Sequence, residues 1–306
     1  MLTARRSRLA LLPPPFASAL LLLMVLANPT GAHIGGKVYP IYELTGGDLS
    51  QLDLHDASVA GGEQLLPEPS LVARQFYADP TVGDGAQYDP ADPGQRTCLA
   101  WHGATGRIYL AHERTDDVYI DTYAGGDVWR IWRNDSIEFM IDGDHSGGDY
   151  TGSADPGWTA AEQQLHNNRT ARMYFAIAGA PDGPMLAYAG LRTWANRPPY
   201  ADGGGGHAAG IADTSTIEFC ITPFDDLRWD SAEASMPSRL SAGSIVGFMI
   251  NVPDWDVPGT YHAFHSLQGD GAPWRYADRF VDGRLLPAAP TAIPSTTWAR
   301  IKVSFR

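Results

Sequence analysis

Apolar and polar residues alternate with a period of two along most of the ordered part of this chain. In residues 107–113, Ile108 and Leu110 fall on one side and Tyr109 and Ala111 on the other. Residues 135–141 alternate Ile137, Phe139 and Ile141 with Ser136, Glu138 and Met140. Residues 171–177 set Met173, Phe175 and Ile177 against Arg172, Tyr174 and Ala176, and residues 216–222 set Ile217, Phe219 and Ile221 against Glu218, Cys220 and Thr222. Residues 244–252 are apolar on both sides, as in a central strand, and residues 298–305 alternate again. Successive side chains of a strand point to opposite faces, so these runs predict half-buried strands. With Gly- and Pro-rich turns between them, they predict an all-β, antiparallel immunoglobulin-like β-sandwich with long loops and at most short helices. One such helix is predicted over Thr159 to Asn167. Gly203 to Gly206 reads as a loop on composition.

The 33 Gly and 23 Pro among 306 residues argue against a helical bundle, and 44% hydrophobic residues supply a full core. A net charge of −13 argues against a nucleic-acid partner, because phosphate contacts need clustered Lys and Arg. Arg5, Arg6 and Arg8 precede an apolar run from Phe16 to Ala27 and a small-residue site at Thr30-Gly31-Ala32. That pattern predicts a signal peptide over residues 1–32 and an exported, periplasmic or extracellular domain. No later apolar stretch has the ~20 residues of a membrane helix. Residues 33–95 are less regular and are expected to form an arm or extra strands on the main domain, residues 96–306. In an exported chain the two cysteines, Cys98 and Cys220, are candidates for one disulfide or for two buried thiols.

Residues 127–150 are the richest in candidate chemistry. Trp129 and Trp132 stand just before the strand that carries Ser136 and Glu138. An indole face packs on sugar C–H groups, and a neighbouring carboxylate accepts hydroxyl hydrogen bonds. The chain here resembles the family 9 carbohydrate-binding modules. The resemblance runs through Leu99-Ala-Trp101 and Arg107-Ile-Tyr-Leu-Ala-His-Glu-Arg-Thr-Asp-Asp117. It peaks at Trp132-Arg-Asn-Asp-Ser-Ile-Glu-Phe-Met-Ile-Asp142. It resumes at Gly243-Ser-Ile-Val-Gly-Phe-Met-Ile-Asn-Val-Pro-Asp254 and ends at Trp274-Arg-Tyr-Ala-Asp-Arg-Phe-Val-Asp-Gly-Arg-Leu285. The resemblance implies a non-catalytic β-sandwich that grips a sugar between two Trp rings, with calcium supporting the fold. Trp132 and Trp274 match the two rings and Glu138 matches the sugar-binding Glu. Asn134 and Trp129 are further candidates beside them. A sugar-binding Arg of the family finds no clear equivalent in the Arg172-Met-Tyr-Phe-Ala176 run. The implied ligand is an oligo- or polysaccharide and the implied partner a separate glycoside hydrolase or a surface protein; the alternative reading is a surface or periplasmic protein-interaction domain that has lost the sugar site.

Asp142, Asp144 and Ser146 alternate before Gly147, as in the first half of a calcium loop, and Asp149 offers a further oxygen. These hard oxygens favour calcium over a transition metal, and no organic cofactor is expected. Two weaker alternatives concern other ligands. Met140, Met173 and Met249 are possible haem ligands, and His33 would be a copper-binding terminus after cleavage. His262 and His265, three apart, would face opposite ways in a strand and share no metal. Asn134-Asp-Ser136 and Asn168-Arg-Thr170 fit the glycosylation acceptor pattern.

Overall fold

In the computed structural model, residues 36–288 are described, apart from residues 46–48, 50–51, 56–70, 73–76, 79–93, 126–127, 152–156, 158, 160–161, 163–165, 181–186, 189–193, 209–212, 229 and 269–272. The chain from Gly31 onward forms one compact unit. Its strands are β1 (Val38–Glu43), β2 (Leu71–Val72), β3 (Tyr77–Ala78), β4 (Gly94–His102), β5 (Arg107–Asp116), β6 (Ile137–Asp142), β7 (Ala171–Ala176) and β8 (Ala187–Tyr188). They continue with β9 (Ala201–Ala208), β10 (Asp213–Ile221), β11 (Phe224–Asp226), β12 (Met236–Pro237), β13 (Ile245–Asp254), β14 (Ala263–Ser266) and β15 (Val281–Leu286). Among the described residues, only short 3-10 turns stand between them, at Val128–Arg133, Trp194–Asn196 and Ala277–Arg279.

The predicted all-β sandwich is observed. The hydrogen-bonded path runs β8-β7-β6-β13-β15-β1-β4-β5-β10-β9, and it curls so that its two halves share one core. Phe139 of β6 meets Phe219 of β10 with ring centroids 5.8 Å apart. Around that contact lie Ile137 and Ile141, Phe248, Ile250 and Val252, and from the other half Ile108, Leu110, Ile217 and Ile221. The two-residue alternation therefore sorts the side chains as the sequence implies. One feature departs from a purely antiparallel sheet. β1 pairs parallel with both β15 and β4, so a strand from residues 33–95 sits in the middle of the path.

The opposite faces are covered as well. Tyr109 and Ala111 point away from the main core and pack with Leu44, Cys98, Ala100 and Cys220 beneath Leu49, Leu52 and Leu54. Gly203 to Gly206 form part of β9 rather than a loop. The reason is close approach. A Cβ on Gly204 would stand 2.5 Å from the Leu54 carbonyl oxygen, so the 52–55 segment can lie on this strand only where side chains are missing. Of the helix predicted from Thr159, the described residues show its starting bonds. The Thr159 N–H donates to Glu162 Oε2 at 2.7 Å, and the Glu162 N–H donates back to Thr159 Oγ1 at 3.3 Å. The predicted strand over 298–305, the signal peptide and His33 lie outside the described residues.

The Cys98–Cys220 disulfide is absent from this structure, where both cysteines are buried free thiols. Cys98 of β4 pairs opposite Ala111 of β5, while Cys220 of β10 pairs opposite Tyr109. The whole of β5 lies between them. Two interstrand spacings of ~4.8 Å already exceed the ~7 Å Cα separation that a disulfide tolerates. A thiol-specific reagent should therefore label neither cysteine in the native protein and both in denaturant, without reductant. Two thiols that appear only after reduction would contradict this register.

Candidate functional site

Along β5 the inward face runs Ile108, Leu110, His112, Arg114 and Asp116, so an apolar stripe becomes charged at its end. His112 is buried, bonded to Thr97 Oγ1 through Nδ1 at 2.9 Å, and burial lowers its pKa to about 3. Arg114 is 1% exposed. Its guanidinium donates to Asp116 at 2.6 Å, to the Pro253 carbonyl at 2.6 Å and to Asp254, and it stands 3.0 Å from Asp135. These groups come from β5, the end of β13 and the turn before β6. The three acids outnumber the one cation. Burial pushes Asp135 up to about 8 and Asp254 up to about 6, against the lowering influence of Arg114.

Asp135 also organises what lies above. It accepts the Ile120 N–H and, at 2.9 Å, the Trp255 N–H. Trp255 packs on Tyr261 with ring centroids 4.0 Å apart, and Tyr261 stacks with Trp132 at 5.9 Å and 28°. Trp132 is half-buried beside Ile131, Phe175 and Ile177, which places it on the outer face of β7. The Arg133 guanidinium lies over its ring, 4.9 Å from the centroid. Asn134 is buried and committed to the turn. Its Oδ1 accepts from the Thr122 N–H and hydroxyl, and its Nδ2 donates to the Ile131 carbonyl. Trp129 belongs to the same 3-10 turn, and its side chain lies outside the described residues.

Glu138 sits opposite Asn251 of β13 and Phe175 of β7, on the same outer face. It is 4% exposed. Asn251 Nδ2 donates to its Oε2 at 2.8 Å, and burial raises its carboxyl to about 7 despite that bond. The charge of Glu138 adds to the burial that raises both Tyr150 and Tyr261, so both phenols lie near it. The Tyr150 hydroxyl donates to the Pro273 carbonyl at 2.9 Å, and the next residue, Trp274, is 49% exposed. Tyr150 also reaches Met173, which packs on the cluster that includes Trp132, so contacts link the Trp274 turn to Trp132. Glu138 lies beneath this layer rather than open at the surface. Arg172 is buried on the other side of β7, where its guanidinium donates to the Phe224 carbonyl at 2.6 Å. Met140 and Met249 pair across β6 and β13 in the core, and Met173 receives the Tyr150 hydroxyl at 3.9 Å. Asn168 is fully buried, its Oδ1 accepting the Met173 N–H at 2.9 Å, so neither acceptor Asn is accessible to a glycosylating enzyme in the fold.

The predicted calcium loop is largely satisfied by protein. Asp142 Oδ2 accepts the Gly147 N–H at 2.7 Å, and Asp149 is held by Arg275 at 3.0 Å and by Thr151. His145 pairs with Asp282 at 2.9 Å. Asp144 is raised by burial and by contact with the Asp142 carboxyl, so these two converge while Asp149 turns away and Ser146 is exposed. Convergent carboxylates occur at the other end instead, in the sets Asp116–Asp135–Asp254, Asp254–Asp256–His262 and Asp116–Asp117–Asp256. The first already holds the Arg114 guanidinium. Sequence reasoning did not single out this assembly. The available signal was an Arg continuing the apolar face of β5 with an Asp two residues on.

Arg114→Ala should cost about 3–5 kcal/mol in urea unfolding, because it strands three buried carboxylates. The pH profile follows from the same groups. Glu138 and Asp135 hold protons in the native state that the unfolded chain releases above pH ~5, so their contribution falls as pH rises toward 7 and 8. The neutral His112 and His265, lowered to about 3 and about 4, act oppositely and only below about 6.5. Stability should therefore decline from pH 6.5 to 8, and Glu138→Gln should make that decline shallower between pH 6.5 and 7.5.

No protein-family model matches this chain, and no curated protein sequence does. Solved structures do. A family 9 carbohydrate-binding module from Caldicellulosiruptor kristjanssonii, solved with cellotriose, superposes with a TM-score of 0.52 at 12% identity, covering 84% of this chain and 98% of that one. The same kind of module from that organism, solved with glucose, gives 0.52 and 12%, covering 84% and 100%. At this identity the likeness is one of fold, and the fold this chain shares is that of the family 9 modules.

Proposed function

We propose that this chain is an exported, non-catalytic carbohydrate-binding domain. Its binding surface is the outer face of the β7-β6-β13 half of the sandwich. The observation that carries this reading is the Trp274 ring, half exposed on a turn that Tyr150 and Met173 tie to the cluster containing Trp132. The flat face of an exposed indole suits the C–H side of a pyranose. The modules that share the fold were solved with cellotriose and with glucose.

On this reading Trp274 and Trp132 contact the ring of the sugar. Trp129 and Asn134 stay at the rim, Asn134 by shaping the turn. Glu138 acts from below. With a pKa of about 7 it is partly protonated near neutrality, so it both donates and accepts hydrogen bonds. A few hydrogen bonds and one or two stacking contacts give modest affinity, since association consumes much of the contact energy. Such a domain serves polysaccharide capture, with bond cleavage left to a separate hydrolase.

The test is a glycan array, run with and without calcium, followed by Trp274→Ala. Trp274 is exposed, so its truncation opens no cavity, whereas Trp132→Ala would disturb packing as well. The variant should keep its unfolding midpoint and lose at least tenfold in affinity for whichever glycan the wild type binds. A silent array from folded protein, or unchanged binding by the variant, would refute the reading.

A further inference from the structure

Beside Trp132 a cavity of about 390 Å3 opens between the 122–125 loop, the turn at Arg133 and Asn134, and the hairpin loop at Pro258 and Gly259. Its volume lies within the ~300–1,000 Å3 range of small-molecule sites. Arg133 is the only charged residue on its wall among the described residues. Arg96, Arg114, Arg169, Arg228 and Arg275 each hold a carboxylate. Arg133 holds none among the described residues and is exposed, although the chain has 35 acids against 22 Lys and Arg. Its guanidinium rests instead on the Trp132 indole.

Resting on the carbohydrate reading above, we propose that this cavity takes an acidic sugar unit, a hexuronate, whose carboxylate is held by Arg133. The guanidinium fork matches a carboxylate in two parallel hydrogen bonds. Its stacking on Trp132 restricts where that fork can point, and Arg133 lines the cavity. Thr122 gives its hydroxyl proton to Asn134 and keeps lone pairs that can accept a sugar hydroxyl proton. The domain as a whole is strongly acidic and repels anions at long range. A lone Arg at the pocket wall supplies local attraction that is selective for a ligand with one charge at the right place.

The experiment is calorimetric titration of the protein with trigalacturonate and triglucuronate, and with their neutral counterparts galactotriose and cellotriose, on wild type and Arg133→Gln. The inference predicts a preference for at least one uronate trimer over its neutral counterpart, weakened by salt. Arg133→Gln should cost that uronate at least tenfold and cost its neutral counterpart several-fold less. Equal binding of acidic and neutral trimers, or equal losses for both in Arg133→Gln, would overturn the inference and leave carbohydrate binding standing. If glycans bind on the array but no uronate trimer binds here, only the inference fails. If neither the array nor any trimer shows binding, the carbohydrate reading fails with it.

Discussion

The buried guanidinium of Arg114 holds one end of this sandwich together. It draws Asp116, Asp135, Asp254 and the Pro253 carbonyl onto a single cation, which joins β5, β13 and the turn before β6. A charge taken from water is tolerated only when paired and fully hydrogen-bonded, and here three acids do the pairing. The excess of acid has its own consequence, because two of those carboxyls are raised toward neutrality. This end of the protein is therefore sensitive to pH in a range where most surface acids are fully ionised.

That constraint reaches the candidate site through Asp135. Its second role is to accept the backbone N–H of Trp255, whose indole packs on Tyr261 and thereby against Trp132. The aromatic layer is thus fixed from below by a salt bridge. The other edge of the face is fixed by Tyr150, which reaches the Pro273 carbonyl and sets the base of the Trp274 turn. Between these anchors Glu138 and Asn251 form a buried polar pair on an otherwise apolar surface. The face is built with two indoles of different status, one packed and one exposed.

The strands were legible because period-two alternation is a direct record of a face on a core. Ile137, Phe139, Ile217 and Phe219 point where their spacing implies. The parallel position of β1 was not legible. Val38–Glu43 is too short to announce its partners, and both lie far along the chain. Gly203 to Gly206 misled because composition reports flexibility and not the close approach of the 52–55 segment. Trp132, Glu138 and Trp274 could be named from their motifs, but the pairing of Glu138 with Asn251 and the tie of Tyr150 to the Pro273 carbonyl join residues remote in sequence. At the loop of Asp142, Asp144 and Asp149, Arg275 pairs with Asp149, a partner that local sequence does not reveal.

The most direct test of the account is an NMR titration of the tryptophan indole N–H signals, assigned by single Trp→Phe changes, with a glycan selected on the array. The account predicts that the Trp274 and Trp132 signals move together. The Trp101 indole, bonded to the Leu286 carbonyl at 2.8 Å on the far side of the sheet path, should stay fixed. Movement of Trp101 or Trp194 with Trp274 and Trp132 unchanged would contradict it.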